Sequence, residues 1–122
     1  ELALCLKKYG QDKNPHLLVS SFYLPSLQKI KKLLPDLKIG RLTKEFNLKE
    51  IELLQPYSVN MSYKRINKNI IDICHKKNIK VFIYTVNDLK LFEQLKKDGV
   101  DAVFSDNPVL NQPSYFALGA SL

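Results

Sequence analysis

The 122-residue chain contains no tryptophan, one methionine, four glycines, two cysteines and two histidines. Arginine is almost as scarce, with 2 against 17 lysines. Each shortage closes a route. Two cysteines cannot build the multi-bridge scaffold of a small secreted domain. Cys5 and Cys74 fall at helical apolar spacings, so they read as small hydrophobes in a reducing compartment. A cytoplasmic location is the expectation. No run reaches the roughly 20 apolar residues of a membrane span, and no signal-peptide pattern opens the sequence. Glu1 stands first in place of Met, and the helical spacing of Leu2, Cys5, Leu6 and Tyr9 begins at once. The expectation is a piece of a longer polypeptide.

What is present suffices for one folded unit. The chain is 45% hydrophobic and 25% charged, too apolar for disorder. A chain of this length buries roughly two thirds of its unfolded surface. The net charge of +7 raises nucleic-acid binding. Phosphate clamps favour the bidentate fork of arginine, which is the residue in short supply. The lysines also stand singly or in pairs on helical segments, where solvated faces belong. No nucleic-acid partner is expected.

Strand-like segments recur at Leu17 (LLVSSF), Leu37 (LKIGRL), Tyr57 (YSVNMS), Lys80 (KVFIYTV) and Asp101 (DAVFSD). Amphipathic stretches of helical period separate them, such as Leu24, Leu27, Ile30, Leu34 and Ile66, Ile70, Ile73, Cys74, Lys77. Asn47 and Glu50 form a capping-box pattern, Asp88 can cap the next-to-last segment, and Gly99 stands where that helix should stop. This is a string of βα units, the grammar of a parallel sheet. The α/β class admits an open doubly wound sheet or part of a (βα)8 barrel, which needs about 250 residues when complete. The short interval and the mid-helix start favour a partial barrel of about five units.

Three segments carry a resemblance: LLVSSF, KKNIKVFIYTVND and LKKDGVDAVFSDNP. In order and spacing they resemble the C-terminal half of the glycerophosphodiester phosphodiesterase family. That family closes its barrel with a strand like V-x-V-W-T-V-N, a helix ending in G-V-D and a last strand like I-x-T-D-x-P. The similarity runs from the first helix to about Pro108. It implies that residues 1–122 are the C-terminal part of a TIM barrel, with strands four to eight present.

The resemblance also implies where the chemistry sits. The family uses an H-R-G motif, an E-x-D pair, a histidine after that pair and a further acid, all on the first three strands. Carboxylates two apart on a strand share a face and can hold one hard divalent ion, Mg²⁺ or Ca²⁺. None of these motifs occurs here, so no catalytic or metal residue is assigned to this chain. Glu50 and Glu52 form the only E-x-E. Their segment is helical, where side chains two apart diverge by about 200°. His16 precedes a strand at the end opposite the active site, and His75 lies on a helix beside Cys74. Both read as structural or exposed.

Phe22 and Tyr84 occupy positions where the family places aromatics around its substrate, Tyr84 replacing the usual Trp. They are the expected pocket-lining residues. Asn87 and Asp106 read as caps at strand ends, and Ser105 as a conservative replacement for threonine. Arg41 is ambiguous between cleft and solvent. The loops VND and DNP lack the glycines of a phosphate cradle and carry aspartates, so neither is taken as one.

Two functional expectations follow. The first is a fragment of a metal-dependent phosphodiesterase of lipid and glycerol metabolism, whose parent hydrolyses glycerophosphodiesters to glycerol 3-phosphate and an alcohol. This chain alone would be inactive. The second is a non-catalytic binding or assembly module with a truncated barrel. Either predicts a homodimer or larger homo-oligomer through open barrel edges.

Overall fold

The computed structural model describes residues 2–106, with side chains from Leu4 onward. Glu1, Asn107 and Pro108, which figure in the sequence expectations, lie outside the described residues. The order is α1 (Leu2–Lys8), a 3-10 turn (Gln11–Lys13), β1 (Leu18–Ser21), α2 (Leu24–Leu33), β2 (Lys38–Leu42), α3 (Leu48–Leu54), β3 (Ser58–Ser62), α4 (Lys68–Lys76), β4 (Lys80–Tyr84), α5 (Leu89–Asp98) and β5 (Ala102–Val103). All five expected strands form.

The strands make one sheet in the order β1-β2-β3-β4-β5, every pair parallel. A doubly wound sheet reverses its strand order at a switch point. This sheet never reverses. Right-handed crossovers in a sequential sheet place every helix on the same face. That is the progression of a (βα)8 barrel, taken through five units.

Period-two alternation divides the strand residues between the faces. Val19 and Ile39 pack with Leu27, Leu34, Leu37 and Leu54 in one apolar cluster. Val59, Met61, Val81, Ile83 and Val103 pack with Ile51, Ile71, Cys74, Phe92 and Leu95 in a larger one. These side chains meet the helices. Full burial of each contributes about 1.5–3 kcal/mol. The alternate residues Ser20, Gly40, Ser58, Asn60, Phe82 and Ala102 are also buried, on the concave face. A Cβ on Gly40 would stand 2.9 Å from Ser58 Oγ and 3.0 Å from Asn60 Oδ1, so the sheet curls tightly there.

Helix boundaries have local chemical causes. Asn47, Asn67 and Asp88 accept hydrogen bonds from the backbone N–H groups of Glu50, Ile70 and Lys90. Gly99, at φ 98°, ends α5 in the left-handed conformation. The Lys31 ammonium donates to the carbonyls of Leu54 and Gln55 and so closes the C-terminus of α3. Burial lowers the Lys31 pKa.

Four details differ from the sequence pattern. The capping box is half formed, because Glu50 turns away from Asn47 to pair with Arg41. The α4 stripe centres on Ile71 and Cys74, while Ile73 is only partly buried. In α1, Leu6 packs against the core, whereas Cys5 and Tyr9 are exposed. Cys5 is therefore a surface thiol rather than a core hydrophobe. His75 is tied as well as exposed: its Nε2 lies 2.8 Å from Asp101 Oδ2, which also accepts from the Val81 N–H at 2.7 Å.

Candidate functional site

In parallel αβ folds, the loops after the strands gather at one end of the sheet. There the chain forms a hollow of about 230 Å³ lined by Phe22, Leu42, Tyr84, Thr85 and Phe104. Phe22 follows β1, Leu42 ends β2, Tyr84 ends β4 and Phe104 follows β5. Phe22 is 51% exposed. Burial pushes the Tyr84 phenol above its ordinary pKa, so at neutral pH it keeps its proton and can donate or accept. Its carbonyl accepts from the Tyr63 N–H at 2.9 Å.

The rim is laced by the backbone. The Phe104 N–H donates to the Ile83 carbonyl at 2.8 Å, and the Val86 N–H donates to the Phe104 carbonyl at 2.9 Å. Asn87 Oδ1 accepts from the Asp106 N–H at 2.9 Å and from Ser105 Oγ at 3.1 Å. Asn87 thus joins the loops after β4 and β5, and Asp106 is a partner in that tie. Asp88 caps α5.

Behind the hollow lies a buried polar patch. Ser58 Oγ donates to Asn60 Oδ1 at 2.7 Å, and Asn60 is fully buried with no hydrogen-bond partner for its Nδ2. A second hollow, of about 480 Å³, opens at the opposite end among Leu18, Lys38, Tyr57, Lys80 and Phe82, with His16 on its margin. His16 therefore stands at the strand N-terminal end, remote from the reactive loops.

Acidic residues do not converge. No group of three or more His, Cys, Asp or Glu side chains among the described residues could hold a metal ion. Glu50 pairs with Arg41 at 3.1 Å and Glu52 with Lys77 at 3.1 Å. The two helical carboxylates are thus committed to different cations. Among the described residues, these carboxylates do not form a donor set that fits a divalent ion. Among the described residues, no helix is long and apolar enough to cross a membrane.

Arg41 faces neither cleft nor open solvent. It lies buried on the helix side of β2, where Nη1 donates to the Phe22 carbonyl and Nη2 to Glu50. Leu42, Thr85 and Phe104 were not singled out from sequence. Parity offered a signal for two of them: Leu42 stands two residues beyond the inward Gly40, and Phe104 two beyond the inward Ala102.

The arrangement is matched in known proteins. The chain is 30% identical over 111 residues to a glycerophosphodiester phosphodiesterase of Caldanaerobacter subterraneus, covering 88% of this chain and 45% of the relative. A solved phosphodiesterase from Oleispira antarctica, in complex with the product sn-glycerol-3-phosphate, superposes with TM-score 0.76 at 26% identity. The match covers 88% of this chain and 45% of that one. A glycerophosphodiester phosphodiesterase from Parabacteroides distasonis shares the fold, with TM-score 0.74 at 21% identity over 86% of this chain and 44% of the other. The chain spans about half the length of these relatives or less. The Glycerophosphoryl diester phosphodiesterase family matches residues 1–110, and the chain belongs to that family.

Proposed function

We propose that this chain is the C-terminal part of a (βα)8-barrel phosphodiesterase that hydrolyses glycerophosphodiesters to glycerol 3-phosphate and an alcohol. In this reading it supplies one wall of the substrate pocket, through Phe22 and Tyr84. The observation that carries the proposal is the five-stranded sequential parallel sheet with an aromatic hollow at its reactive end. The family membership supports the reaction class.

The wall suits part of such a substrate. The hollow offers apolar surface from Phe22, Leu42 and Phe104, with hydroxyls from Tyr84 and Thr85. Those groups can face the carbon skeleton and hydroxyls of a glycerol moiety. They provide no cation for phosphate and no acid–base pair. Metal, acid and base belong in this reading to strands outside the chain, so the chain alone is inactive. The sheet also leaves β1 and β5 with one unpaired edge each among the described residues. Without completing strands, those edges favour self-association into a homo-oligomer.

The test is turnover of a glycerophosphodiester by the purified chain with added Mg²⁺ or Ca²⁺. The proposal expects none. Turnover abolished by a chelator, in a preparation free of full-length enzyme, would overturn it.

A further inference from the structure

We infer that Arg41 is a positioning residue for the aromatic wall: its guanidinium anchors the Phe22 carbonyl to the first turn of α3 and fixes where the Phe22 ring stands. The inference rests on the reading of Phe22 as a substrate-lining residue.

Alternation within β2 turns Gly40 and Leu42 toward the concave face and Arg41 toward the helices. Its neighbours on that face, Ile39 on its own strand and Val59 on the next, are buried hydrophobes. A guanidinium in such surroundings loses hydration; the two terminal nitrogens of Arg41 recover it from fixed partners, while its buried Nε has none among the described residues. The Arg41 side chain is 10% exposed. One fork nitrogen donates to Phe22 O, and the other lies 3.1 Å from Glu50 Oε2. Glu50 is itself held, because its N–H donates to the Asn47 cap at 3.2 Å. The chain of contacts runs from the α3 N-cap through Glu50 and Arg41 to the residue where the chain leaves β1.

An apolar side chain of similar volume would serve packing at least as well as a buried ion pair. What it could not do is grip a carbonyl 19 residues away in sequence. Phe22 needs that grip. The residue is half exposed, so packing restrains it little. The adjacent turn is also held by the bond from the Tyr23 N–H to Ser21 Oγ at 3.0 Å. A lysine carries the charge on a single ammonium nitrogen and lacks the planar fork that spans the two acceptors.

The experiment compares the wild-type chain with R41M, R41K, E50Q and F22A by NMR, reading the Phe22 carbonyl carbon and titrating sn-glycerol 3-phosphate. R41M keeps the unbranched stem and removes the donors. It should shift the Phe22 carbonyl upfield and weaken the response of the Phe22 and Tyr84 rings to glycerol 3-phosphate by roughly five- to ten-fold. R41K should recover part of both effects. E50Q, whose amide oxygen still accepts from Arg41, should leave the Phe22 carbonyl near its wild-type position. F22A should abolish the wall's contribution to the titration. An unshifted Phe22 carbonyl in folded R41M, with a normal wild-type titration, overturns the inference alone. No ring response in the wild type, or none lost in F22A, overturns the wall reading and the inference together.

Discussion

At the scale of single residues, burial decides what each side chain can do chemically. Cys74 is fully enclosed, and burial, reinforced by the charge of Asp101, pushes its thiol from about 9 up to about 11. It stays protonated at neutral pH and is a poor nucleophile. Cys5 is exposed on α1. A maleimide reagent at pH 7.5 should therefore label Cys5 rapidly and Cys74 only as fast as the chain opens, measured by mass spectrometry of the digested protein. The same shift links stability to pH. The folded chain holds the Cys74 proton more tightly than the unfolded chain, so the unfolded state loses it first as pH rises. The resulting stabilisation is complete below about pH 9 and fades through about pH 11. In urea melts, the stability gap between wild type and Cys74→Ala should narrow across that window.

At the scale of elements, the helices are short, and helix ends carry much of the local specification. Asn47, Asn67 and Asp88 each satisfy a backbone donor in a first turn. Replacing any one by alanine should lower stability by about 1 kcal/mol. Lys68→Ala, which removes an exposed pair with Asp72 on the surface of α4, should cost less than about 0.5 kcal/mol. Urea denaturation of the four variants separates the two classes. Most of this level was legible in the sequence. Strands such as VFIY announce themselves by β-branched and aromatic content, and Asp88 and Gly99 bracket α5 as written. The exceptions have physical reasons. Glu50 fits a capping box by spacing, yet the buried Arg41, on the helix side of β2 beneath α3, competes for its carboxylate and prevails. Ile73 lies at a helical interval from Ile66 and Ile70, but Ile71 is the residue fully buried in the core cluster with the β3 and β4 side chains. Periodicity gives the repeat of a helix without the rotation at which it docks.

At the scale of the whole molecule, strand order carries the architecture. The short strand interval favours a partial barrel, yet a doubly wound sheet is written in the same βα units. Only the sequential pairing distinguishes them. The wall of the site was legible in part: Phe22 and Tyr84 were named from family motifs, while Leu42, Thr85 and Phe104 join them through the curl of the sheet. That curl depends on small residues such as Gly40 and Ser58, whose effect is visible only once strands are paired. Open edges at β1 and β5 lead to the expectation of a dimer or larger assembly by light scattering at high concentration. A clean monomer there would count against self-association. The central claim is that this chain is one wall of a barrel whose chemistry is carried by other strands. Its most direct test is phosphodiester turnover when the purified chain is mixed with the first three βα units of a family relative, such as the Caldanaerobacter enzyme, in Mg²⁺ or Ca²⁺. The account predicts turnover in the mixture and none from either part alone. Chelator-sensitive turnover by this chain without the added part would contradict it.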